Sequence, residues 1–560
     1  MPRDNRALYN EWLTSVTDEE LKAQLLAMDD AAIDAAFFSD LSFGTGGLRG
    51  VMSAGTNRMN IYTVAKATRG LAKYILSTYP EEKKVAIGYD SRNNSERFAK
   101  LAAAILADMG IKVYIWSELL PTPMLSFAVR AHACSIGIML TASHNPAEYN
   151  GYKVYREDGC QITEAMAEEI SAYIAKENTF PETISPDFDA LLNSGRIEYI
   201  KEEVYEDFMS EVMKNSLWDM NADAVQPSIV YTPLNGTGRR PVLDVLARRG
   251  FQKVETVKEQ LLPDGNFPTC PYPNPEIPTA MALGLSYAEK LGADILLATD
   301  PDCDRVGVGA RTPEGTYTLL TGNEIGLLLL QYILERRTAS GTLPSSAVVV
   351  KTVVTTDIAP RIAEAYQART IDVLTGFKYI GEQIGRLEEE GHEGDFIFGF
   401  EESCGYLTSG YVRDKDGVLA AMLVAEATAY YASRGKNLCE ALADIYEKYG
   451  YAKNSLNSYT FEGPTGFANM QAIMHKLRCG MDTIGGLKVE KVLDFKEGIM
   501  GLPKSDVLKF LLEGNSTLVV RPSGTEPKLK VYFSIAARDE AGAAALTDKL
   551  AKEIENLIFS

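Results

Sequence analysis

Short apolar runs that lead into a polar turn and then into a helical pattern recur along the chain up to about residue 434. Residues 84–89 and 135–140 are two such runs, and apolar positions at helical spacing fill residues 96–109 and 124–132. Alternating strands and helices of this kind fold into mainly parallel sheets with helices packed on them. The pattern therefore predicts an α/β protein.

The chain is long enough for several such folding units. Its 560 residues exceed what one hydrophobic core supports. The strand–helix alternation restarts over residues 227–298 and again over residues 325–434, whereas the last hundred residues show strand-like runs interleaved with helical patterns at 468–477 and 543–557. We therefore predict three similar mixed α/β domains and a C-terminal α+β domain. The predicted domain ranges are 1–205, 206–321, 322–445 and 446–560.

Composition and charge limit the partners that this chain can have. The hydrophobic fraction of 46% and the charged fraction of 24% are typical of soluble globular proteins, and no apolar run reaches the roughly 18 residues that span a bilayer. The seven cysteines form no CxxC pair and no signal peptide is visible, so we expect a cytoplasmic protein with free thiols. A net charge of −20 argues against nucleic acid and anionic membranes as partners. A phosphorylated substrate would therefore need basic residues inside the functional loops.

The first candidate site is the hydroxyl of Ser143, in a Thr-Ala-Ser-His-Asn-Pro segment that ends at Pro146. The segment follows the apolar run 135–140, and its Asn-Pro pair and the polar residues 148–151 predict a loop. A hydroxyl beside the imidazole of His144, at the end of a buried strand, is well placed to act as a nucleophile. Taken alone, the segment is equally consistent with a capped turn.

A second candidate site is the loop that contains Asp300, Asp302 and Asp304. It follows a buried strand, and α/β proteins bind ligands at this edge of a sheet. Three carboxylates at alternate positions can converge on one hard cation, and oxygen-only ligands favour magnesium over zinc. An EF-hand is a poor match, since Arg305 and Arg311 occupy the positions of its glycine and glutamate. The alternative is a solvated acidic turn.

Three further loops offer polar groups to a ligand. Glu401 and Ser403 follow another strand, among glycines, and suit the hydroxyl groups of a sugar. Arg521 opens a Pro/Gly turn with two hydroxyls, which predicts an anion nest. Arg49 lies among four glycines, but its segment lacks the Lys-Ser/Thr ending of a nucleotide-binding loop, so we predict no ATP site. Taken alone, the Glu401 loop is also consistent with a solvated turn, and the Arg521 loop with an ordinary Pro/Gly turn.

Together these segments resemble the α-D-phosphohexomutases, the group of phosphoglucomutases and phosphomannomutases. The motifs Thr-Ala-Ser-His-Asn-Pro and Asp-Pro-Asp-x-Asp-Arg occur in the family's order, and the matching segments extend from about residue 43 to residue 530. The resemblance implies four domains around a central cleft, with one loop from each domain. It implies that Ser143 carries a phosphoryl group. The implied ligands of one Mg²⁺ ion are Ser143, Asp300, Asp302 and Asp304.

The resemblance also assigns roles to the other candidate residues. The implied catalytic groups beside Ser143 are His144, Lys153, Arg49 and Lys415. The implied substrate-binding residues are Thr375, Gly376, Lys378, Glu401, Ser403, Arg305, Arg521, Ser523, Gly524 and Thr525. Lys153 is a candidate general base, since nearby cations can lower the pKa of a lysine. The alternative is that Lys153 only binds phosphate.

The sugar loop departs from that of the dual-specificity bacterial members, which have a histidine at the position of Gly405. The Glu-Glu-Ser-x-Gly version in this chain is similar to that of glucose-preferring enzymes. Lys415, in Arg-Asp-Lys-Asp-Gly, is expected to replace the histidine as an acid/base group. The chain is most similar to the longer phosphoglucomutases, whose relatives include phosphopentomutase and glucose-1,6-bisphosphate synthase. Glucose, mannose and a pentose therefore all stay open as the sugar.

The implied reaction interconverts glucose 1-phosphate and glucose 6-phosphate, with glucose 1,6-bisphosphate as intermediate and activator. The implied partners are small sugar phosphates, and we expect a monomer or a weak homodimer. One alternative is a haloacid-dehalogenase-type phosphatase with Asp300 as nucleophile and Asp302 as acid. That family usually has Thr or Val where this chain has Asp304, and Ser143 and the Arg521 loop would stay unexplained. The second alternative is a non-catalytic sugar-phosphate sensor.

Overall fold

The computed structural model describes residues 3–44, 46–80, 83–219, 225–461, 466–499, 501–523 and 528–559. Within these ranges the chain forms four sheets, of six, five, four and six strands. Three are mixed sheets flanked by helices and the fourth is antiparallel, which confirms the predicted fold class. No helix in the described part of the chain has the length and apolar character that crossing a membrane requires.

The first sheet has the strand order β1-β5-β4-β2-β3-β6. Its strands are β1 Leu48–Val51, β2 Lys84–Tyr89, β3 Lys112–Ile115, β4 Ile136–Leu140, β5 Tyr149–Arg156 and β6 Ile197–Tyr199. The helices of this unit are α1 Asn5–Ser15, α2 Glu19–Leu26, α3 Asp30–Phe37, α4 Ile61–Thr78, α5 Ser95–Asp108, α6 Thr122–Ala131, α7 Glu164–Ile174 and α8 Phe188–Asn193. Parallel pairing joins β4, β2, β3 and β6. The central strands β2 and β4 are buried on both faces, which explains their continuous apolar sequences.

The loop predicted at residues 148–151 is wrong, because β5 begins at Tyr149 and pairs antiparallel with both β1 and β4. The polar sequence hides this strand. Asn150 is fully buried, and its side-chain amide donates hydrogen bonds to the Asn93 carbonyl at 2.9 Å and to Ser95 Oγ at 3.0 Å. A buried polar side chain is tolerated where its hydrogen bonds are satisfied. Strand β5 is buried along most of its length and is held by hydrogen bonds to distant residues. Its own sequence therefore shows no alternation of apolar and polar residues that would predict a strand.

The second sheet has the order β11-β10-β9-β7-β8. Its strands are β7 Ile229–Thr232, β8 Val254–Thr256, β9 Ile295–Thr299, β10 Val306–Arg311 and β11 Tyr317–Leu320. The helices of this unit are α9 Glu202–Lys214, α10 Arg239–Arg248, α11 Lys258–Leu261 and α12 Pro278–Leu291. Because β9 and β10 are antiparallel neighbours, the acidic loop at residues 300–305 is the turn between them.

The third sheet has the order β13-β12-β14-β15. Its strands are β12 Val348–Thr352, β13 Arg369–Val373, β14 Phe396–Glu401 and β15 Gly405–Leu407. The helices of this unit are α13 Gly322–Ala339, α14 Ala359–Ala365, α15 Phe377–Glu389, α16 Gly417–Ala432 and α17 Leu438–Tyr449, with a 3-10 turn at Glu393–Asp395. Helix α16 is buried around nearly its whole circumference and packs on α10. One hydrophobic core therefore includes Met124, Val242 and Leu327, from the first, second and third units.

The fourth sheet is entirely antiparallel, in the order β16-β21-β20-β19-β18-β17. Its strands are β16 Tyr451–Thr460, β17 Thr483–Ile484, β18 Leu487–Asp494, β19 Leu508–Leu512, β20 Ser516–Pro522 and β21 Lys528–Ala537. Its helices are α18 Gly466–Arg478 and α19 Glu540–Phe559, with 3-10 turns at Phe495–Glu497 and Glu513–Asn515. This unit has a core of its own, which includes Leu518 and Ile554.

Two predicted domain boundaries fall inside helices. Position 205/206 lies within α9, and position 445/446 lies within α17, which packs on α13. We therefore propose that the second unit begins near Glu202 and that the last unit begins near Gly450, after α17 ends. The predicted boundary at 321/322 falls between β11 and α13.

Candidate active site

The Ser143 side chain lies at the carboxyl end of β4, in a left-handed backbone conformation with φ of +52°. Its amide donates to Thr141 Oγ1 at 2.8 Å, which fixes the turn. Its hydroxyl donates to Asp300 Oδ2 at 2.9 Å and lies 3.2 Å from His144 Nδ1. The hydroxyl of the first unit is thus directed at the acidic loop of the second unit.

Arg92, which the sequence analysis did not select, holds this serine turn in place. Its guanidinium donates to the Ser143 carbonyl at 2.6 Å, to the Pro146 carbonyl at 2.8 Å and to the Tyr149 carbonyl at 3.0 Å, and it also contacts the Asn145 carbonyl. A polar Asp-Ser-Arg sequence directly after β2 was the available signal, since it follows a buried strand as the Ser143 segment does.

The three aspartates of the β9–β10 turn form a buried acidic cluster. One oxygen from each of Asp300, Asp302 and Asp304 lies within 4.8 Å of the others. Asp300 Oδ1 accepts the amides of Asp304 and Arg305, each at 3.1 Å, whereas Oδ1 of Asp302 and Oδ1 of Asp304 are buried without a hydrogen-bond partner. Unpaired carboxylate oxygens inside a protein are costly. The residues therefore fit a hard divalent cation, which would take up these oxygens.

Two buried lysines from other units neutralise part of this acidic charge. Lys153 Nζ lies 2.8 Å from Asp302 Oδ2 and 3.4 Å from Asp304 Oδ2. Lys415 Nζ lies 2.9 Å from Asp304 Oδ2 and 3.3 Å from Asp414 Oδ1. The structure thus gathers residues from three units around the serine and the acids.

The charges of this cluster shift its protonation equilibria. Burial, followed by the charges of Asp302 and Asp304, raises the pKa of Asp300 well above its ordinary value. Burial acts to raise the pKa of Asp302 as well, but Lys153 and Lys415 outweigh it and hold that pKa below its ordinary value. These shifts leave the negative charge unequally distributed over the three acids.

The bases of the site are shifted too. Burial acts to lower the pKa of Lys153, but Asp302 and Asp304 outweigh it and raise that pKa, so the lowering expected from nearby cations is wrong for this structure. Burial, together with Arg305 and Arg49, holds the pKa of His144 well below its ordinary value. His144 is therefore a neutral imidazole near pH 7.

Arg305 and Arg49 lie beside the reacting groups. The Arg305 guanidinium forms an ion pair with Glu276, which the sequence analysis did not select. Arg49 lies in β1 opposite Gly151 of β5, close enough to His144 to lower the pKa of that imidazole. Two cations thus lie near the His144 imidazole.

The sugar loop approaches the same lysine that contacts the acids. Glu401 is the last residue of β14 and is buried, and its Oε1 accepts the Ser403 hydroxyl at 3.1 Å. A Cβ on Gly405 would lie 2.5 Å from the Lys415 side chain and 3.3 Å from that of Glu401, so only glycine fits there. The Lys415 side chain therefore occupies the space directly beside Gly405.

The loop at residues 375–378, which was predicted to bind substrate beside the sugar loop, is in contact with the first unit. Thr375 Oγ1 is buried without a hydrogen-bond partner, and Gly376 has a φ of +122°, which favours glycine. Lys378 donates to Glu164 Oε1 of the first unit at 2.5 Å, and the Tyr379 hydroxyl donates to the same oxygen at 3.1 Å. The Lys378 ammonium is thus held by an acid and not by the cluster around Ser143.

Arg521 belongs to β20 of the fourth unit, so the predicted loop begins inside a strand. Its guanidinium lies 5.9 Å from the centre of the Tyr532 ring. Arg521 is also near enough to Glu402 to oppose, in small part, the rise in the pKa of that acid that burial and Glu401 cause. The Ser523 amide donates to the Lys528 carbonyl at 2.7 Å, next to the paired ends of β20 and β21. The predicted residues Gly524 and Thr525 lie outside the described residues.

Two further contacts complete the cluster and were missed by sequence reasoning. The Thr122 hydroxyl, at the start of α6, donates to Asp302 Oδ2 at 3.0 Å. Asp414 accepts the Tyr155 hydroxyl at 2.9 Å and contacts the Lys415 ammonium. Thr122 has no sequence signal beyond its own polarity, whereas Asp414 lies in the Arg-Asp-Lys-Asp-Gly segment that indicated Lys415.

This four-unit architecture and its polar cluster define an enzyme of the α-D-phosphohexomutase class. The matches are to the alpha/beta/alpha domains I, II and III and the C-terminal domain of phosphoglucomutase/phosphomannomutase, at residues 40–180, 205–314, 321–449 and 468–553. The chain therefore belongs to the phosphoglucomutase/phosphomannomutase family, which confirms the resemblance inferred from its motifs.

A curated relative supports this assignment, and two solved structures share the fold. The phosphoglucomutase of Staphylococcus saprophyticus is 36% identical over 539 residues, which cover 94% of this chain and 96% of the relative. The open form of Paramecium pp63/parafusin, a phosphoglucomutase, aligns with a TM-score of 0.70 at 17% identity over 93% of this chain and 96% of that chain. The N-acetylphosphoglucosamine mutase of Aspergillus fumigatus, in complex with GlcNAc-6P and magnesium, aligns with a TM-score of 0.51 at 15% identity over 93% and 96%. The two structural likenesses concern the fold alone.

Proposed function

We propose that this chain is a phosphoglucomutase, which interconverts α-D-glucose 1-phosphate and glucose 6-phosphate. The observation that carries the proposal is the buried Ser143 hydroxyl, 2.9 Å from Asp300 of the acidic cluster. The curated relatives at 34–36% identity, which are named phosphoglucomutase and cover most of this chain, support this activity. We retain the prediction that the protein works in the cytoplasm on small sugar phosphates, as a monomer or weak homodimer.

In the proposed reaction Ser143 carries a phosphoryl group in the active enzyme. The free hydroxyl of the sugar monophosphate attacks that phosphorus, the bond to Ser143 Oγ breaks, and a sugar bisphosphate forms. The bisphosphate turns end for end, and Ser143 Oγ then attacks its other phosphate. The second transfer restores the phosphoserine and releases the isomeric monophosphate, so no phosphate is gained or lost.

We propose that the cation of this site is Mg²⁺, held by Asp300, Asp302, Asp304 and an oxygen on Ser143. A bound divalent cation supplies electrostatic neutralisation of the phosphoryl group that is transferred. The protein's own contribution is the preformed acidic cluster, whose two unpaired oxygens are already buried. Pre-organised charges of this kind need no rearrangement during the transfer.

A general base has to accept the proton of the attacking hydroxyl, and the same group returns a proton when the second transfer occurs. Lys415 is our first candidate because it bridges the acidic loop and the sugar loop, where the attacking hydroxyl has to lie. Burial acts to lower the pKa of Lys415, but Asp304 and Asp414 outweigh it and raise that pKa, so the amine would act as a base only where a cation held by the acids offsets their charge. Lys153 is the second candidate. His144 Nδ1, 3.2 Å from Ser143 Oγ, orients the serine hydroxyl.

The phosphate that is not being transferred needs a separate anchor in both orientations of the sugar. We propose Arg521 and the turn that follows it for this role, with Arg305 and Arg49 nearer the reacting phosphate. Arginine forms bidentate hydrogen bonds with phosphate oxygens. Glu401 and Ser403 are proposed to bind the sugar hydroxyls between the two phosphate sites, and Thr375, Gly376 and Lys378 to line the same cleft.

The structure favours a mutase over a haloacid-dehalogenase-type phosphatase. Asp300 would be the nucleophile of the phosphatase, yet its Oδ1 accepts two backbone amides and its Oδ2 accepts the Ser143 hydroxyl. Both oxygens are therefore engaged within the chain. Arg92 holds the serine turn through the Ser143 carbonyl, which leaves the Ser143 hydroxyl directed at the acidic loop.

The test is to supply the purified enzyme with the 1-phosphates of glucose, mannose and ribose, each with and without glucose 1,6-bisphosphate. We expect glucose 6-phosphate as the main product, no inorganic phosphate, and faster turnover with the bisphosphate. Release of inorganic phosphate would indicate a phosphatase, and a higher kcat/KM for mannose or ribose 1-phosphate would reassign the substrate. Ser143→Ala is expected to abolish turnover while sugar-phosphate binding stays largely intact, and unchanged turnover would reject the phosphoserine.

A further inference from the structure

The proline-rich segment at residues 262–277 belongs to the second unit but extends to the first unit's serine turn. Its residue Phe267 is completely buried and has a φ of +45°, a left-handed conformation that is unusual for an aromatic residue. Strained backbone of this kind persists only where the surrounding structure requires it, and it points to a functional role.

The Phe267 ring covers Arg92. The guanidinium carbon of Arg92 lies 5.1 Å from the ring centre, a distance at which a cation and an aromatic face attract each other. The same guanidinium donates to the carbonyls of the serine turn, including that of Ser143 at 2.6 Å. The ring and the carbonyls therefore hold Arg92 between two units.

The backbone just before Phe267 is packed closely against the first unit. A Cβ on Gly265 would lie 2.4 Å from the Asn93 backbone nitrogen, so only glycine fits at this position. The Asn93 side-chain amide donates to Asn266 Oδ1 at 2.9 Å. The segment is therefore docked on the residue next to Arg92, and the ring cannot shift without disturbing these contacts.

The far end of the same segment contacts the other arginine of the site. Glu276 forms the ion pair with Arg305, and a Cβ on Gly307 would lie 2.4 Å from the Pro275 carbonyl oxygen. One segment thus contacts Arg92 at one end and Arg305 at the other.

We propose that residues 262–277 brace the active site and that Phe267 is a positioning residue for Ser143. It acts through Arg92: the ring restricts the guanidinium, and the guanidinium fixes the carbonyls that define the left-handed turn at Ser143. The role of Phe267 in catalytic turnover rests on the proposed function, whereas its effect on the backbone conformation at Ser143 does not. Misplacement of a reacting group by about 1 Å can cost on the order of 10²-fold in rate.

The test compares Phe267→Met with Phe251→Met, a matched control at another buried phenylalanine of the same unit. Methionine keeps the apolar bulk but removes the aromatic face. We expect Phe267→Met to lower kcat by about 10- to 100-fold with KM changed less than about twofold. The control should lose a similar amount of thermal stability and keep its kcat.

Hydrogen exchange provides a second measurement that does not depend on activity. In Phe267→Met we expect faster exchange of the amides at residues 141–149, and in Phe251→Met no change there. Arg92→Lys, which keeps the charge but cannot contact four carbonyls, should give the same two effects even if Phe267→Met does not fold. Equal kcat and equal exchange in Phe267→Met and Phe251→Met would overturn the proposal. A wild-type enzyme without mutase activity would overturn the proposed function instead. The hydrogen-exchange result would then still show whether Phe267 fixes the backbone around Ser143.

Discussion

Lys415 Nζ lies 2.9 Å from Asp304 Oδ2, and both side chains are buried. This ion pair joins the turn between β9 and β10 to the segment that precedes α16. It places the candidate base of the third unit against the candidate metal ligands of the second. The sugar loop also packs against Lys415 at Gly405. This contact therefore joins the candidate metal ligands of the second unit to the candidate sugar-binding residues of the third unit.

Replacing Lys415 by methionine should therefore impair the chemical step. We expect Lys415→Met to lower kcat by about 10²–10⁴-fold, the usual effect of removing a general base. Lys436→Met, at an exposed lysine that pairs with Asp444, is the matched control and should keep its kcat. If Lys153→Met lowers kcat far more than Lys415→Met, then Lys153 is the base.

Magnesium should stabilise the protein through the acidic cluster. At a Mg²⁺ concentration of about 100 times Kd, we expect a gain of about 2.7 kcal/mol in the free energy of unfolding, seen as a rise in Tm. Asp302→Asn should lose most of this gain, whereas Asp395→Asn, in a 3-10 turn of the third unit, should keep it. A Tm of the wild type that does not respond to Mg²⁺ would contradict the proposed metal site.

Asp357 connects the third unit to the fourth. Its Oδ1 lies 3.0 Å from Lys509 Nζ and 3.3 Å from Lys351 Nζ, and its Oδ2 accepts the Thr517 hydroxyl at 2.9 Å. Both lysines are buried, and Lys351 keeps a second partner, Asp372, at 3.1 Å. Asp357→Ala should cost about 3–5 kcal/mol because it removes the acid that pairs with the buried Lys509. It should also raise KM, since Thr517 belongs to the strand that carries Arg521.

A double-mutant cycle tests this contact directly. Asp357→Ala, Lys509→Met and the double variant should give unfolding free energies that are not additive, with a coupling of about 0.5–3 kcal/mol. Additive effects would show that the two side chains do not interact in solution.

Glu402 should make stability depend on pH. Burial, followed by the charge of Glu401, raises the pKa of Glu402 from 4.5 to about 7. The folded state then binds this proton more tightly than the unfolded chain does, so the folded protein loses stability as pH rises from 4.5 towards 7. Glu402→Gln removes the titration, and its Tm minus that of the wild type should increase between about pH 5 and about pH 8. Glu390→Gln, at an exposed position, should show a constant difference, and a constant difference in Glu402→Gln would contradict the prediction.

The sequence by itself determined the features that depend on contiguous residues. The alternation of apolar runs and helical patterns predicted strands such as β2 and β9 to within a residue or two, because buried strands and amphipathic helices have local periodicities. The serine and aspartate motifs were visible for the same reason, since each is one strand end and the turn after it.

Only the tertiary structure decided which distant residues meet. Strand β5 is held by pairing with β1 and β4, and Arg92 and Phe267 meet across 175 positions of sequence through packing between two units. The orientation of Lys378 towards Glu164 and the position of Lys415 against Asp304 arise in the same way. Such contacts depend on the folded arrangement of whole sheets, and a short segment contains no periodicity or motif that specifies its partner.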